Sequence, residues 1–172
     1  GCWPERLAKP LWEAAFATVR SSKDIHRLRA SIAVFVGLLR WTGSVRRKSL
    51  AVVLQFLGYS FPTVRQAAAR ALYIRLLSEE ADLDLTVPEE GIVENATIPG
   101  DTVAEVLEII SISSWGTDNE DALAAVLREV YVKLGVDLPT GGRSILAPQR
   151  PKKEAAKPEG LKYADLVNAE HF

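Results

Sequence analysis

The stretch from Phe61 to Leu77, FPTVRQAAARALYIRLL, allows the backbone few options. Pro62 has no N–H and a fixed φ, which suits the first turn of a helix and disfavours a strand interior. Behind it Val64, Ala68, Ala71, Leu72 and Leu76 recur at helical spacing and form one stripe for burial. Arg65, Arg70 and Arg75 fall outside that stripe. Alanines at 67, 68, 69 and 71 let a neighbouring helix come close. The pattern predicts a helix packed between other helices.

The chain before it follows the same period. A first helix is expected from about Pro10 to Arg20, with Leu11, Ala14, Ala15, Thr18 and Val19 inward. A second is expected from Lys23 to Trp41, with Ser22 as its cap and Ile25, Leu28, Ile32, Phe35, Val36 and Leu39 on one face. Its second half is apolar nearly all round, which makes it a central helix. Gly43 reads as a stop and Ser44 as the cap of a third helix, Val45 to about Tyr59. Related segments begin at Leu28, Val45 and Val64, at steps of 17 and 19 residues. That is half of a HEAT-type repeat, one helix plus its turn. The expected fold is all-α: a HEAT/armadillo-like α-solenoid of antiparallel helix pairs with an irregular C-terminal tail.

Charge divides the chain. Residues 1–78 hold thirteen Lys/Arg against three Asp/Glu, whereas residues 79–138 hold two against fifteen. Such an asymmetry either ties one half of a fold to the other or offers each half to a different partner. Arg46, Arg47 and Lys48 sit in the first turn of the third helix, the end where the helix dipole disfavours cations. Their placement needs a reason, either a basic contact edge or pairing with the acidic half. Residues 79–100, acidic and interrupted by Pro88, Gly91, Pro99 and Gly100, read as an exposed connection with little regular structure. A fifth helix is expected after Asp101 or Thr102, with Val103, Val106, Leu107 and Ile110 inward and Trp115 at the following corner. A sixth should start at Asp118 or Asn119, carry the stripe Leu123, Val126, Leu127, Val130 and Leu134, and stop at Gly135. The domain is therefore drawn as 1–138. Residues 139–172 form a tail rich in Pro, Gly and Lys, in which 161–167 could make one short helix.

No residue constellation in this pattern points to catalysis. Gly141-Gly142-Arg143-Ser144 lacks the spacing of a phosphate loop. His26 and His171 have no cysteine or carboxylate at ligand spacing, and Cys2 is the only cysteine, so no metal or other cofactor is expected. The longest apolar run, Ile32 to Leu39, ends at Arg40 and is too short to span a membrane. The cations are spread over helix starts without interleaved aromatics, so a nucleic-acid partner is not expected either. The chain has no methionine and opens Gly1-Cys2-Trp3, which reads as an excised piece of a longer, intracellular protein.

Two stretches together carry a resemblance. Tyr59-Ser60-Phe61-Pro62-Thr63-Val64-Arg65-Gln66, with Ala68, Arg70, Leu72 and Tyr73, is similar to the late HEAT-like segment of the tubulin-folding cofactor D family. After an insert, Ser113-Ser114-Trp115, a Leu/Ala/Val-Arg-Glu helix and Leu134-Gly135-Val136 resemble that family's closing segment. The match covers roughly residues 25–138 and departs from the family in the acidic insert and in the basic tail after 148. The resemblance implies a non-enzymatic chaperone fragment, cytoplasmic and microtubule-associated. Its partners would be β-tubulin, the other tubulin-folding cofactors and an Arf-like small GTPase, and its role would lie in assembling and separating the α/β-tubulin dimer. At most it would contribute to stimulating GTP hydrolysis by tubulin within a cofactor complex. Tubulin is acidic, so the expected contact residues are Arg46, Arg47 and Lys48, with Arg65 and Arg70 behind them; the bland alternative for Arg65 is pairing with carboxylates of an adjacent repeat. The rival readings are a HEAT-repeat scaffold unrelated to tubulin and a basic helical nucleic-acid binder.

Overall fold

The computed structural model describes residues 3–78, 83–86 and 97–139. The expectations for Cys2, His171, the 161–167 helix, the tail from residue 140 onward and most of the acidic connection lie outside those residues. The described chain is mainly helical: α1 (Trp3–Ser21), α2 (Ile25–Leu38), α3 (Ser44–Leu57), α4 (Pro62–Leu77), α5 (Gly100–Ile112) and α6 (Glu120–Lys133). A ribbon of β1 (Leu83–Asp84) and β2 (Thr97–Ile98) stands between α4 and α5, antiparallel, with Leu83 opposite Ile98.

Successive helices pack on each other, and the first four also pack at second neighbours, α1 on α3 and α2 on α4. The last pair joins differently, α5 on α4 and α6 on α3. A Cβ at Gly58 would lie 3.2 Å from Leu127 Cδ1, so a glycine here lets α6 approach the end of α3. The core is continuous. Phe35, Val53, Leu54, Phe56, Leu57, Val64, Ala68, Leu72, Val106, Val130 and Leu134 are all fully buried. Aromatic rings run through it in sequence. Trp12 stacks on Phe16 at 4.7 Å and meets Phe35 at 6.2 Å; Phe35 meets Phe56 at 6.4 Å, and Phe56 leads to Tyr59 and then Phe61. Such contacts add to the burial of large apolar area.

Several expectations need correction. Helix α1 starts at Trp3, not at Pro10, and Pro10 lies inside it. A proline there loses one ladder hydrogen bond and costs about 3 kcal/mol, which the packing of Ala8, Trp12, Phe16 and Val19 opposes. The inward face is accordingly Ala8, Trp12, Ala15, Phe16 and Val19, while Leu11 is 50% exposed and Ala14 lies outward. Asp24, not Ser22, caps α2, accepting the His26 N–H at 2.8 Å, and α2 ends at Leu38. Gly43 is itself the N-cap of α3, at φ 72°, ψ −148°, a conformation that favours glycine. The acidic stretch holds structure at both ends, where the ribbon buries Leu83, Leu85 and Ile98. Helix α5 has Pro99 at its N-cap and no side-chain cap. In α6 the expectation holds: Asn119 accepts the Ala122 N–H at 3.1 Å, and Gly135 follows the helix at φ 60°.

Candidate functional site

The five candidate cations divide by burial. Arg46, the third residue of α3, is 8% exposed. Its Nε donates to the carbonyls of Leu39 and Trp41, both at 2.8 Å, and Nη1 donates to the Asp84 carbonyl at 3.2 Å. Leu39 is the C-cap of α2. The cation that stands at the wrong end of its own helix thus stands at the right end of the preceding one, where carbonyls lack helical partners and the dipole is negative. Hydrogen bonds from Thr86, through its side chain and its N–H, hold the Asp84 carboxyl below its ordinary range, with a smaller contribution from Arg46.

Arg65 does the same at the next corner. It is 5% exposed. Nη1 donates to Tyr59 O at 2.8 Å and Ser60 O at 3.2 Å, in the turn between α3 and α4. Nε donates to Trp115 O at 2.9 Å and Nη2 to Thr117 O at 2.6 Å, in the turn between α5 and α6. One planar fork therefore ties together two corners more than fifty residues apart in sequence. Trp115 is fixed in turn by its Nε1–H, which donates to Ile110 O at 2.9 Å. The partners of Arg65 are main-chain carbonyls, not the carboxylates of an adjacent repeat.

Arg46 and Arg65 are consequently parts of the fold, and the expectation that they present their guanidinium groups outward is corrected by their burial. Val45-Arg46 and Val64-Arg65, nineteen residues apart, occupy equivalent places, each with a buried valine and a buried arginine at a helix start. Arg29, which follows Leu28 in the first of the three related segments, is exposed. Lys48 and Arg70 are exposed and Arg47 is half-buried, so these three remain as contact candidates.

One surface feature went unnoticed in the sequence. Along the seam between α2 and α4 lies an open depression of about 350 Å³, lined by His26, Arg29, Ala30, Ala33, Ala67 and Ala71, with Ile32 at its floor. In the sequence the alanines of α4 read only as room for a neighbouring helix. That they leave a groove follows from their meeting Ala30 and Ala33, a pairing no local pattern reveals. Among the described residues, no three His, Cys, Asp or Glu side chains cluster in a way that could hold a metal ion, and no helix is long and apolar enough to cross a membrane. No protein-family profile matches the chain, and no solved structure matches it.

Proposed function

We propose that this chain is the closing part of a HEAT-like α-solenoid of the tubulin-folding cofactor D type, a non-enzymatic chaperone segment that engages β-tubulin. The observation that carries the reading is the Arg65 fork. The two stretches on which the resemblance rests are far apart in sequence, and Arg65 bonds one to the other, taking Tyr59 O and Ser60 O from the first and Trp115 O and Thr117 O from the second. The packing of α1 on α3 and of α2 on α4 supports a solenoid, because stacked helix pairs meet in that order. In this reading the segment closes the array and leaves Arg47, Lys48 and Arg70 for the acidic surface of tubulin. The other tubulin cofactors and an Arf-like GTPase complete the assembly in the cytoplasm, at microtubules. The same packing order also favours a second reading, a HEAT-repeat scaffold with no link to tubulin.

One pull-down separates the two. The chain serves as bait for native tubulin and, separately, for the Arf-like GTPase, at moderate salt. Retention of tubulin that is lost in a folded Arg47→Glu/Lys48→Glu variant supports the cofactor reading and locates its face. Retention unchanged by that variant removes these residues from the interface. Failure to retain either protein rejects the tubulin reading and leaves the scaffold.

A further inference from the structure

We propose that the groove between α2 and α4 is a docking site for an acidic peptide segment of a partner protein, one with an apolar side chain among its carboxylates. This goes beyond the tubulin reading, sharing Arg70 with it but needing neither Arg47 nor Lys48. The argument starts from what the groove lacks. From residue 25 to residue 77 the chain carries nine Lys/Arg and not one Asp or Glu. Two of these cations bear on the groove: Arg29 lines it, and Arg70 is exposed on α4, one position before the lining residue Ala71 and three after Ala67. His26 adds a polar group at one end.

The floor is of another kind. Ala30 and Ala33 on α2 face Ala67 and Ala71 on α4, and these short side chains open a path down to Ile32. Both helices continue past it with open apolar surface. A Cβ at Gly37, one helical turn beyond Ala33, would meet nothing within 4 Å, and Ile74, three residues beyond Ala71, is 57% exposed. An apolar trough lined by Arg29 on α2, with Arg70 exposed nearby on α4, is complementary to a segment that alternates carboxylates with an aliphatic side chain, the helix-in-groove or extended-peptide mode. Charge supplies steering and register, and the buried aliphatic group supplies the anchor. A nucleic acid fits less well, since its backbone has no aliphatic group for the trough and the lining offers no Phe, Tyr or Trp on which a base could stack, only the His26 imidazole at one end.

The test is fluorescence anisotropy with a labelled oligoglutamate peptide carrying one central leucine, titrated with the intact chain. Four variants are compared, each checked for native circular dichroism: Ala33→Trp, which fills the trough from an exposed position, Arg29→Glu/Arg70→Glu, and the off-groove controls Arg27→Glu and Lys48→Glu. The expected result is saturable binding weakened about tenfold or more by the first two and by less than about threefold by the controls. Replacing the leucine by glutamate should weaken binding comparably. Equal losses in all four variants, or binding indifferent to Ala33→Trp, would mean diffuse attraction to a basic surface and would overturn the site. Equal displacement by duplex DNA would overturn it in favour of a general polyanion surface. Concentration-dependent self-association that is abolished by Ala33→Trp would overturn it in favour of a second copy, docking through its acidic α5–α6 half.

Discussion

Replacing Arg65 by alanine removes the donors of four carbonyls at once, and its cost can be worked bond by bond. Tyr59 O at 2.8 Å and Trp115 O at 2.9 Å are buried acceptors; Ser60 O at 3.2 Å and Thr117 O at 2.6 Å are only part-buried and can turn to water. Leaving a buried acceptor unsatisfied costs about 1–3 kcal/mol, and the two part-buried ones add little. Losing a buried guanidinium also removes its own desolvation penalty, which pulls the total down. The balance is a destabilisation of about 3 kcal/mol, a large share of the roughly 5–15 kcal/mol that holds a domain together. In urea that is a midpoint lower by about 1–3 M. Lysine at this position should lose nearly as much, because an ammonium is a point donor that can serve one corner but not two. Arg70→Ala, at an exposed site on the same helix, should stay within about 0.5 kcal/mol. Hydrogen exchange adds a sharper readout, since Arg65→Ala should speed exchange at both corners, around Tyr59 and around Trp115. A midpoint for Arg65→Ala no lower than that of Arg70→Ala, or faster exchange at only one corner, would refute the account of Arg65 as a two-corner tie.

Four further outcomes follow from single features. Burial pushes the Tyr131 hydroxyl up to about 12. The folded chain thus keeps a proton that the unfolded chain loses near pH 10, so stability should hold below pH 10 and fall between about 10 and 12 by up to about 3 kcal/mol. Tyr131→Phe should flatten that part of a denaturation series against pH. The Ser49 hydroxyl is fully buried without a hydrogen-bond partner, and Ser49→Ala should be neutral or raise the urea midpoint by up to about 1 kcal/mol equivalent. Gly43→Ala forces a side chain into a conformation suited to glycine and should cost about 1–3 kcal/mol by thermal melting. Gly116→Ala puts its Cβ 2.5 Å from Gln66 Nε2, but Gln66 is exposed and can swing away, so the melt should show a loss below about 1 kcal/mol.

What could be read from the sequence was whatever depends on near neighbours. The stripe of α4 came through because Val64, Ala68, Leu72 and Leu76 repeat at helical spacing and are buried, as did the Asn119 cap and the Gly135 stop of α6. Pro10 misled because a proline suits a helix start in general, while here the helix begins earlier and tertiary packing of Trp12 and Phe16 carries it across. The burial of Arg46 and Arg65 was invisible for a different reason. The acceptors of Arg65 are carbonyls, which every residue possesses, so no residue type along the chain marks them, whereas Arg46 adds to such carbonyls the pull of the Asp84 carboxylate in the acidic half. The basic groove was missed likewise, because its two walls come from helices separated by a whole helix of sequence.

The choice of carbonyls as partners for Arg46 and Arg65 has a bearing on how freely such a chain can change over time. A guanidinium held by a carboxylate needs two particular side chains to persist together, so a change in either breaks the pair. A guanidinium held by Leu39, Trp41, Tyr59, Ser60, Trp115 and Thr117 through their carbonyl oxygens makes no demand on the side chains there. Burial in the core still holds Leu39, Tyr59 and Trp115, but Trp41, Ser60 and Thr117, which are not buried, can drift so long as the backbone keeps its path and each arginine stays fixed. The polar ties of these joints thus rest on two residues, and the exposed positions around them are left free to acquire new partners.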